Sequence, residues 1–187
     1  MSSRSNIVVF AASNSTHSIN KRLAIHAAKV MQDGLAAPVE FEVLDLNDYE
    51  MPIYSPDREQ SGIPEEAQDF YAKLGAADGL IISLAEYNGS YTAAFKNIFD
   101  WCSRIRMEVF QDKPTLLMAT SKGRRGGENV LAAAQDGFPF FGAKVTSSFS
   151  FGPFDEHFNS QTNQLNTPEL ALQLREALVA FNAALPS

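Results

Sequence analysis

The stretch Gly79-Leu80-Ile81-Ile82-Ser83-Leu84-Ala85-Glu86-Tyr87-Asn88-Gly89-Ser90 joins an apolar run to a polar turn sequence. Residues 79–84 are almost entirely apolar, as is typical of a strand buried on both faces of a parallel sheet. Residues 85–90 then place a carboxylate, an aromatic ring, an amide and a glycine directly after that strand. Because ligands bind beyond the carboxyl ends of the strands in such sheets, this stretch predicts a central strand that ends in a binding loop.

Further apolar runs of strand type alternate with helical patterns on both sides of this stretch. Strands are predicted at residues 7–11, 41–46, 114–120 and 143–149. Helices are predicted at residues 18–34, 64–75, 91–105 and 129–135, and from the Thr167-Pro168 pair to residue 185, with a long loop at residues 47–63. This alternation predicts an α/β fold, in which helices cover both faces of a doubly wound, five-stranded parallel sheet.

Length, composition and charge exclude several classes of protein. The chain has 187 residues, 45% hydrophobic and 20% charged, with no internal boundary, so a single domain of residues 1–187 is expected. A net charge of −7 disfavours nonspecific binding to nucleic acid or to anionic membranes. Residues 7–12 are the longest apolar run near the start, well below the roughly 18 that a membrane span needs, and no signal-peptide pattern precedes them. A cytoplasmic location is therefore expected, without nucleic-acid or membrane partners.

Two more polar loops follow predicted strands. Residues 11–20 carry a run of hydroxyls and amides ahead of a helix, and they lack both GxGxxG and GxxxxGK[ST]. Backbone N–H groups at a helix start favour an anion, so this neutral loop suits a terminal monophosphate, although a turn followed by an N-cap explains it about as well. Residues 120–127 are rich in glycine, which leaves backbone N–H groups available to an acceptor, and a flexible connection is the alternative.

These loops together resemble the NADPH-dependent FMN reductase family, which has a flavodoxin-like fold. The specific part is Glu86-Tyr87-Asn88-Gly89-Ser90, followed by Lys96-Asn97 and Asp100-Trp101. Weaker matches are the first-loop positions Ser13, Ser18 and Asn20, the third-loop positions Ser121, Gly123, Gly126 and Gly127, and residues 51–57. Ser15 stands where the family usually has arginine, Ala85 replaces a proline, and residues 149–158 are unusually rich in phenylalanine.

The resemblance implies strand order 2-1-3-4-5 and an enzyme that passes hydride from NADPH or NADH to FMN and on to a small-molecule acceptor. That acceptor would be a quinone, azo dye, metal oxyanion or free flavin, and no side chain is needed as acid or base for hydride transfer. Phosphate would lie on Ser13, Ser15, Ser18 and Asn20, and the isoalloxazine beside Glu86, Tyr87, Asn88 and Gly89. Backbone N–H groups around Ser121, Gly123 and Gly126 would face flavin N1 and O2.

Other interpretations of the same residues stay open. A flavodoxin-like electron carrier without pyridine-nucleotide turnover is the alternative function. Lys122, Arg124 and Arg125 would meet the dinucleotide phosphates or form a solvated basic loop. The apolar helix at residues 91–105 favours a homodimer or homotetramer, with a deep core as the alternative. No metal site is predicted, because the three histidines show no ligand spacing, and Cys102 is interpreted as packing.

Overall fold

The protein is built on a five-stranded sheet in the order β2-β1-β3-β4-β5. The computed structural model describes residues 4–35 and 38–186. The strands are β1 (Ser5–Ala12), β2 (Val39–Leu44), β3 (Gly79–Leu84), β4 (Pro114–Thr120) and β5 (Lys144–Phe151). All four pairings are parallel, so the predicted sheet and its strand order are confirmed.

Helices cover both faces of the sheet. They are α1 (Ile19–Gly34), α2 (Pro56–Glu59), α3 (Glu65–Ala76), α4 (Ala93–Ile105), α5 (Glu128–Gly137), α6 (Phe154–His157) and α7 (Pro168–Ala183). Along β1, Val8 and Phe10 pack with α3, α4 and α5, whereas Ile7 and Val9 pack with α1 and α7. Alternate side chains of a strand point to opposite faces, which is why the central strands read as continuous apolar runs.

The apolar side of α4 is buried within the chain itself. Phe95, Ile98 and Cys102 pack against the sheet, and each is at most 2% exposed. Trp101 is covered by the loop after β2, where its indole N–H donates to the Pro52 carbonyl oxygen at 2.7 Å. The helix pattern is therefore explained by a deep core, and it no longer supports the prediction of an oligomer.

The region after β2 contains more regular secondary structure than the sequence predicts. Strand β2 ends at Leu44, and Leu46 begins a 3₁₀ helix (Leu46–Tyr49), so the predicted strand at residues 41–46 is two residues late at each end. The Asp45 carboxylate caps that helix by accepting from the Asn47 N–H, which ends the strand. The predicted loop at residues 47–63 contains most of this 3₁₀ helix and also α2.

The segment between β5 and α7 differs most from the prediction. β5 continues to Phe151, and a cis Gly152–Pro153 bond leads into α6. An antiparallel hairpin follows, formed by β6 (Phe158–Asn159) and β7 (Gln164–Leu165), which the sequence analysis missed. Among the described residues, no helix has the length and apolar character to cross a bilayer.

Candidate functional site

The loops that follow β1, β3 and β4 meet at the carboxyl edge of the sheet and enclose a cleft of about 410 Å³. We call this the loop cleft. It is lined by Ser13, Ser15, His17, Ser18, Ile19, Asn20, Glu86, Tyr87, Thr120, Ser121 and Lys122. Seven of the residues predicted for the site are therefore together, whereas Asn88, Gly89, Gly123 and Gly126 belong to the same loops but do not line the cleft.

The first loop ends at the N-terminus of α1. Ser18 is the N-cap, and its hydroxyl accepts from the Lys21 N–H at 3.2 Å. The Ser13 hydroxyl accepts from the Ser15 N–H at 3.2 Å, which keeps the loop folded back on itself. Three hydroxyls and the positive end of a helix thus face one cleft, an arrangement that suits an anion.

Asn20 has a different role from the one predicted. Its side-chain oxygen accepts from the Ser83 hydroxyl at 2.8 Å and from the Thr120 N–H at 3.0 Å. Its side-chain nitrogen donates to the Thr120 carbonyl oxygen at 3.0 Å, and the residue is buried. Asn20 therefore joins α1 to β3 and β4 and sets the spacing of the loops, since most of its amide is already in use.

Glu86 also holds two loops together. Its carboxylate accepts from the Val130 N–H at 3.0 Å and from the Asn129 side chain at 3.3 Å. Val130 lies in the first turn of α5, whose N-cap Gly127 has no side chain to supply that acceptor. Glu86 thus acts as the capping side chain of α5, and its carboxylate contacts the N-terminus of that helix.

The segment after Glu86 is a tight turn. Tyr87 and Ser90 exchange backbone hydrogen bonds of 3.0 and 3.2 Å, and φ is positive at Asn88 (52°) and Gly89 (79°). Positive φ at both central residues defines a type I′ turn, which Asn-Gly favours. The turn leaves the Tyr87 ring half exposed at the edge of the loop cleft, so this ring is available to a planar ligand.

The third loop is held from two sides. The Gly123 N–H donates to the Ser121 hydroxyl at 3.2 Å, and the Gly126 N–H donates to the Gly123 carbonyl oxygen at 3.2 Å. The prediction that these two N–H groups are free for a ligand is therefore wrong as the loop stands. Gly126 and Gly152 touch through their backbones, since a Cβ on Gly126 would lie 2.4 Å from the Phe151 carbonyl carbon.

Three residues of the loop cleft were not predicted for the site: His17, Ile19 and Thr120. Lys122, predicted to meet the dinucleotide phosphates or to be solvated, also lines the cleft. His17 and Lys122 are exposed, and no local pattern distinguishes them from ordinary surface residues. Only their position within the two predicted loops indicates that they lie at the site.

The cysteine and several charged or polar side chains outside the loop cleft have structural contacts. Cys102 is buried, and burial raises the pKa of its thiol to about 12, so packing is its role. Lys96 and Asp100, four residues apart on α4, form an ion pair at 2.7 Å. His26 packs its edge on Phe158, and the His157 imidazole lies 2.8 Å from the Thr167 hydroxyl. Thr167 is the N-cap residue of α7, and its side chain makes this contact in place of a capping hydrogen bond.

The strand order and the loop cleft define the class of protein. In a parallel sheet of order 2-1-3-4-5, the order in which the strands are added reverses between β1 and β3, which is where these loops meet. The cleft there presents hydroxyls and a helix N-terminus in place of a glycine-rich dinucleotide loop. The protein is thus of the flavodoxin-like class.

Comparison with known proteins identifies the family. The sequence profile of NADPH-dependent FMN reductases matches residues 5–156. A quinone reductase of Escherichia coli (strain K12) is 28% identical over 149 residues, or 78% of this chain and 79% of the relative. An NAD(P)H-dependent FMN reductase of Pseudomonas aeruginosa is 34% identical over 94 residues, half of each chain. The solved flavoenzyme FerB of Paracoccus denitrificans superimposes with a TM-score of 0.74 over 96% of both chains at 22% identity, which shows the shared fold.

The chain belongs to the NADPH-dependent FMN reductase family, because the family profile covers most of its length. It is an FMN-dependent oxidoreductase that takes electrons from NAD(P)H. The predicted family, enzyme class and cofactor are therefore confirmed.

Proposed function

We propose that this enzyme binds FMN in the loop cleft and passes hydride equivalents from NAD(P)H to a quinone-type acceptor. The observation that carries the proposal is the meeting of three loops in one cleft at the strand-order reversal. The acceptor class is supported by the relative named quinone reductase, which matches 78% of this chain. Azo dyes, metal oxyanions and free flavin are the other acceptors to be tested.

The donor set of the loop cleft fits FMN. Serine hydroxyls and the α1 N-terminus suit a terminal phosphate, and Lys122 adds positive charge. Glu86 is the one carboxylate among the residues that line the cleft, and its oxygens are bound to the α5 N-terminus. Gly123 has open space beside it, since a Cβ there would meet only the Ser121 hydroxyl at 3.7 Å. A flat ring system thus has room to approach the third loop.

Each loop is assigned a part of FMN in this proposal. Ser13, Ser15 and Ser18 hold the phosphate, while Asn20 keeps their loop in place against β3 and β4. Tyr87 lies against the isoalloxazine, with Asn88 and Gly89 forming the turn that presents it. The third loop, from Ser121 to Gly126, borders the pyrimidine end through its backbone.

The chain's own residues bind and orient, and they hold no proton for the reaction. Bound FMN supplies hydride acceptance and donation at N5. Backbone donors of the third loop other than the Gly123 and Gly126 N–H groups would stabilise negative charge on the pyrimidine end. The half-exposed Tyr87 ring excludes water from one side of the ring system.

A second candidate is an electron carrier that does not turn over NAD(P)H. It is favoured by Ser15, which replaces an arginine usual in the family, and by the net charge of −7. Steady oxidation of NADPH or NADH with a quinone acceptor would exclude it.

We propose further that residues 1–187 act as one FMN-binding domain, and that the enzyme works in the cytoplasm as a homodimer or homotetramer. The support for assembly is the family resemblance, together with exposed apolar side chains such as Ile53, Phe140 and Met107. Light scattering of the holoenzyme measures this directly, and a mass near 20.5 kDa would contradict assembly.

The experiment that tests the FMN site is a titration of wild type and Ser18→Ala with FMN and with riboflavin. A lost charge-assisted hydrogen bond costs about 1.5–3 kcal/mol, so FMN affinity should fall roughly 10- to 100-fold, whereas riboflavin affinity should stay unchanged. Ser55→Ala is the matched control, because Ser55 caps α2 by the same kind of contact, a 3.3 Å bond from the Arg58 N–H, outside the loop cleft. Equal weakening of both flavins, or of neither, would show that the phosphate lies elsewhere.

A further inference from the structure

The third loop separates two cavities. Its start, Ser121 and Lys122, lines the loop cleft, whereas Arg124 and Arg125 line a second cavity of about 360 Å³. We call this the arginine cavity, and its lining is Arg124, Arg125, Glu128, Ser150, Phe151, Gly152, His157, Thr167, Glu169 and Leu170. The loop turns between the two cavities at Gly123, whose carbonyl oxygen accepts from the Gly126 N–H. The third loop therefore contributes residues to both cavities.

In the part of the chain that the structure describes, the side chains of Arg124 and Arg125 have no intramolecular polar partner. Within residues 4–35 and 38–186, neither guanidinium forms a salt bridge or a side-chain hydrogen bond, although the chain is acidic overall. Both residues are exposed. Two adjacent guanidinium groups beside a cavity match the geometry of a phosphate group, which they bind with paired N–H donors.

Other groups in the arginine cavity define the ligand further. The Thr167 hydroxyl and the His157 imidazole lie 2.8 Å apart at its wall, and Ser150 adds another hydroxyl. Glu128 and Glu169 lie in the first turns of α5 and α7, and both line the same cavity. Carboxylates accept hydrogen bonds from ribose hydroxyls, whereas arginine receives a phosphate on the same ribose. The cavity thus offers partners for a phosphorylated sugar.

We propose that the arginine cavity receives the adenosine ribose of the nicotinamide nucleotide, with Arg124 and Arg125 on the 2′-phosphate of NADPH. The inference rests on the proposed function, since it assumes that the nicotinamide end lies at FMN in the loop cleft. The remaining 3′-hydroxyl of that ribose donates to Glu128 or Glu169, and NADH binds in the same place more weakly because it has no 2′-phosphate for the two arginines. Ser150 and His157 come from the phenylalanine-rich segment at residues 149–158, which supplies part of the wall of the cavity.

The direct test compares adenosine 2′,5′-bisphosphate with 5′-AMP by calorimetry, because the two probes differ only in the 2′-phosphate. The holoenzyme should bind the bisphosphate more tightly, and Arg124→Gln/Arg125→Gln should weaken it about 10- to 100-fold while 5′-AMP binding stays unchanged. The kcat/KM for NADPH should fall by a similar factor, and that for NADH should stay within about twofold. Arg106→Gln is the matched control, since Arg106 is an exposed arginine that follows α4 at the other edge of the sheet.

The outcomes separate this inference from the proposed function. Equal binding of the two probes by wild type, or unchanged bisphosphate affinity in the double variant, overturns the arginine cavity as the 2′-phosphate site. Equal losses with NADPH and NADH overturn it as well, because a 2′-phosphate site must discriminate between them. Failure of the protein to bind FMN refutes the proposed function instead, and the probe titration then still reports on the cavity by itself.

Discussion

Replacing Gly152 by alanine should weaken FMN binding, although Gly152 lies outside the loop cleft. A Cβ at Gly152 would lie 2.2 Å from the Gly123 carbonyl oxygen, 2.7 Å from the Gly126 nitrogen and 2.8 Å from the Gly126 Cα. These atoms are backbone and cannot rotate away, so the third loop itself must shift. The hydrogen bond from the Gly126 N–H to the Gly123 oxygen, now 3.2 Å, is the contact that the new methyl group disturbs.

The size of the effect follows from the displacement needed. Ordinary van der Waals contact begins near 3.4 Å, so the loop must move by about 1 Å to clear the methyl group. Overpacking of this kind costs about 1–3 kcal/mol of the free energy of unfolding. If one or two loop donors to FMN are lost at about 1 kcal/mol each, FMN affinity should fall roughly 5- to 30-fold.

The assay is a fluorescence titration of FMN, combined with urea unfolding of the apoprotein. Gly137→Ala is the matched control, because a Cβ at Gly137 meets nothing within 4 Å and the residue ends helix α5 with ordinary helical φ. That variant should bind FMN normally and be equally or slightly more stable. Unchanged FMN affinity in Gly152→Ala would refute the argument that the segment after β5 positions the third loop.

Three further predictions concern other groups. Cys102 should resist thiol reagents in the folded protein at pH 8 and react after unfolding, because burial raises its thiol pKa to about 12; rapid modification of the native protein would contradict this. Burial lowers the pKa of His26, so as pH falls the unfolded chain binds a proton at this side chain at a higher pH than the folded protein does. The free energy of unfolding should therefore decline as pH falls below about 6.5. His26→Leu should flatten that decline, as measured by urea titrations at pH 5 to 7. Glu86→Ala should lower the free energy of unfolding by about 0.5–2 kcal/mol, since α5 loses its N-terminal acceptor, and an unchanged urea midpoint would argue against the cap.

The fold was predictable from the sequence because its central strands are buried on both faces. Residues 79–84 and 114–120 are apolar at nearly every position, and the strands observed have those bounds. The ends of β2 were not predictable from apolar pattern alone, because Leu46 is buried in a 3₁₀ helix and Asp45 stops the strand through a side-chain hydrogen bond. The hairpin of β6 and β7 has strands of two residues each, too short to show any alternation.

The hairpin instead depends on contacts that are distant in sequence. The Arg22 guanidinium of α1 donates to the Asn163 side chain at 2.8 Å and to the Ser160 hydroxyl at 3.0 Å, and it lies over the Phe158 ring at 5.7 Å. None of these partners is near Arg22 in the chain. A local sequence pattern therefore cannot predict this part of the fold, because the stabilising contacts join residues far apart in the chain.

The same distinction explains the candidate site. The sequence correctly predicted that the three loops form one site, but it assigned Asn20 and Glu86 to the ligand together with the serines. Asn20 and Glu86 are joined to other loops at 2.8–3.3 Å, so they fix the frame of the site, whereas Ser13, Ser15 and Ser18 retain hydroxyls beside the loop cleft. Substitution of a frame residue must therefore lower the stability of the apoprotein along with FMN affinity. Substitution of Ser15 separates the two, because its hydroxyl forms no hydrogen bond within the described residues. Ser13 and Ser18 already accept backbone N–H bonds at 3.2 Å, so their substitution costs some stability as well.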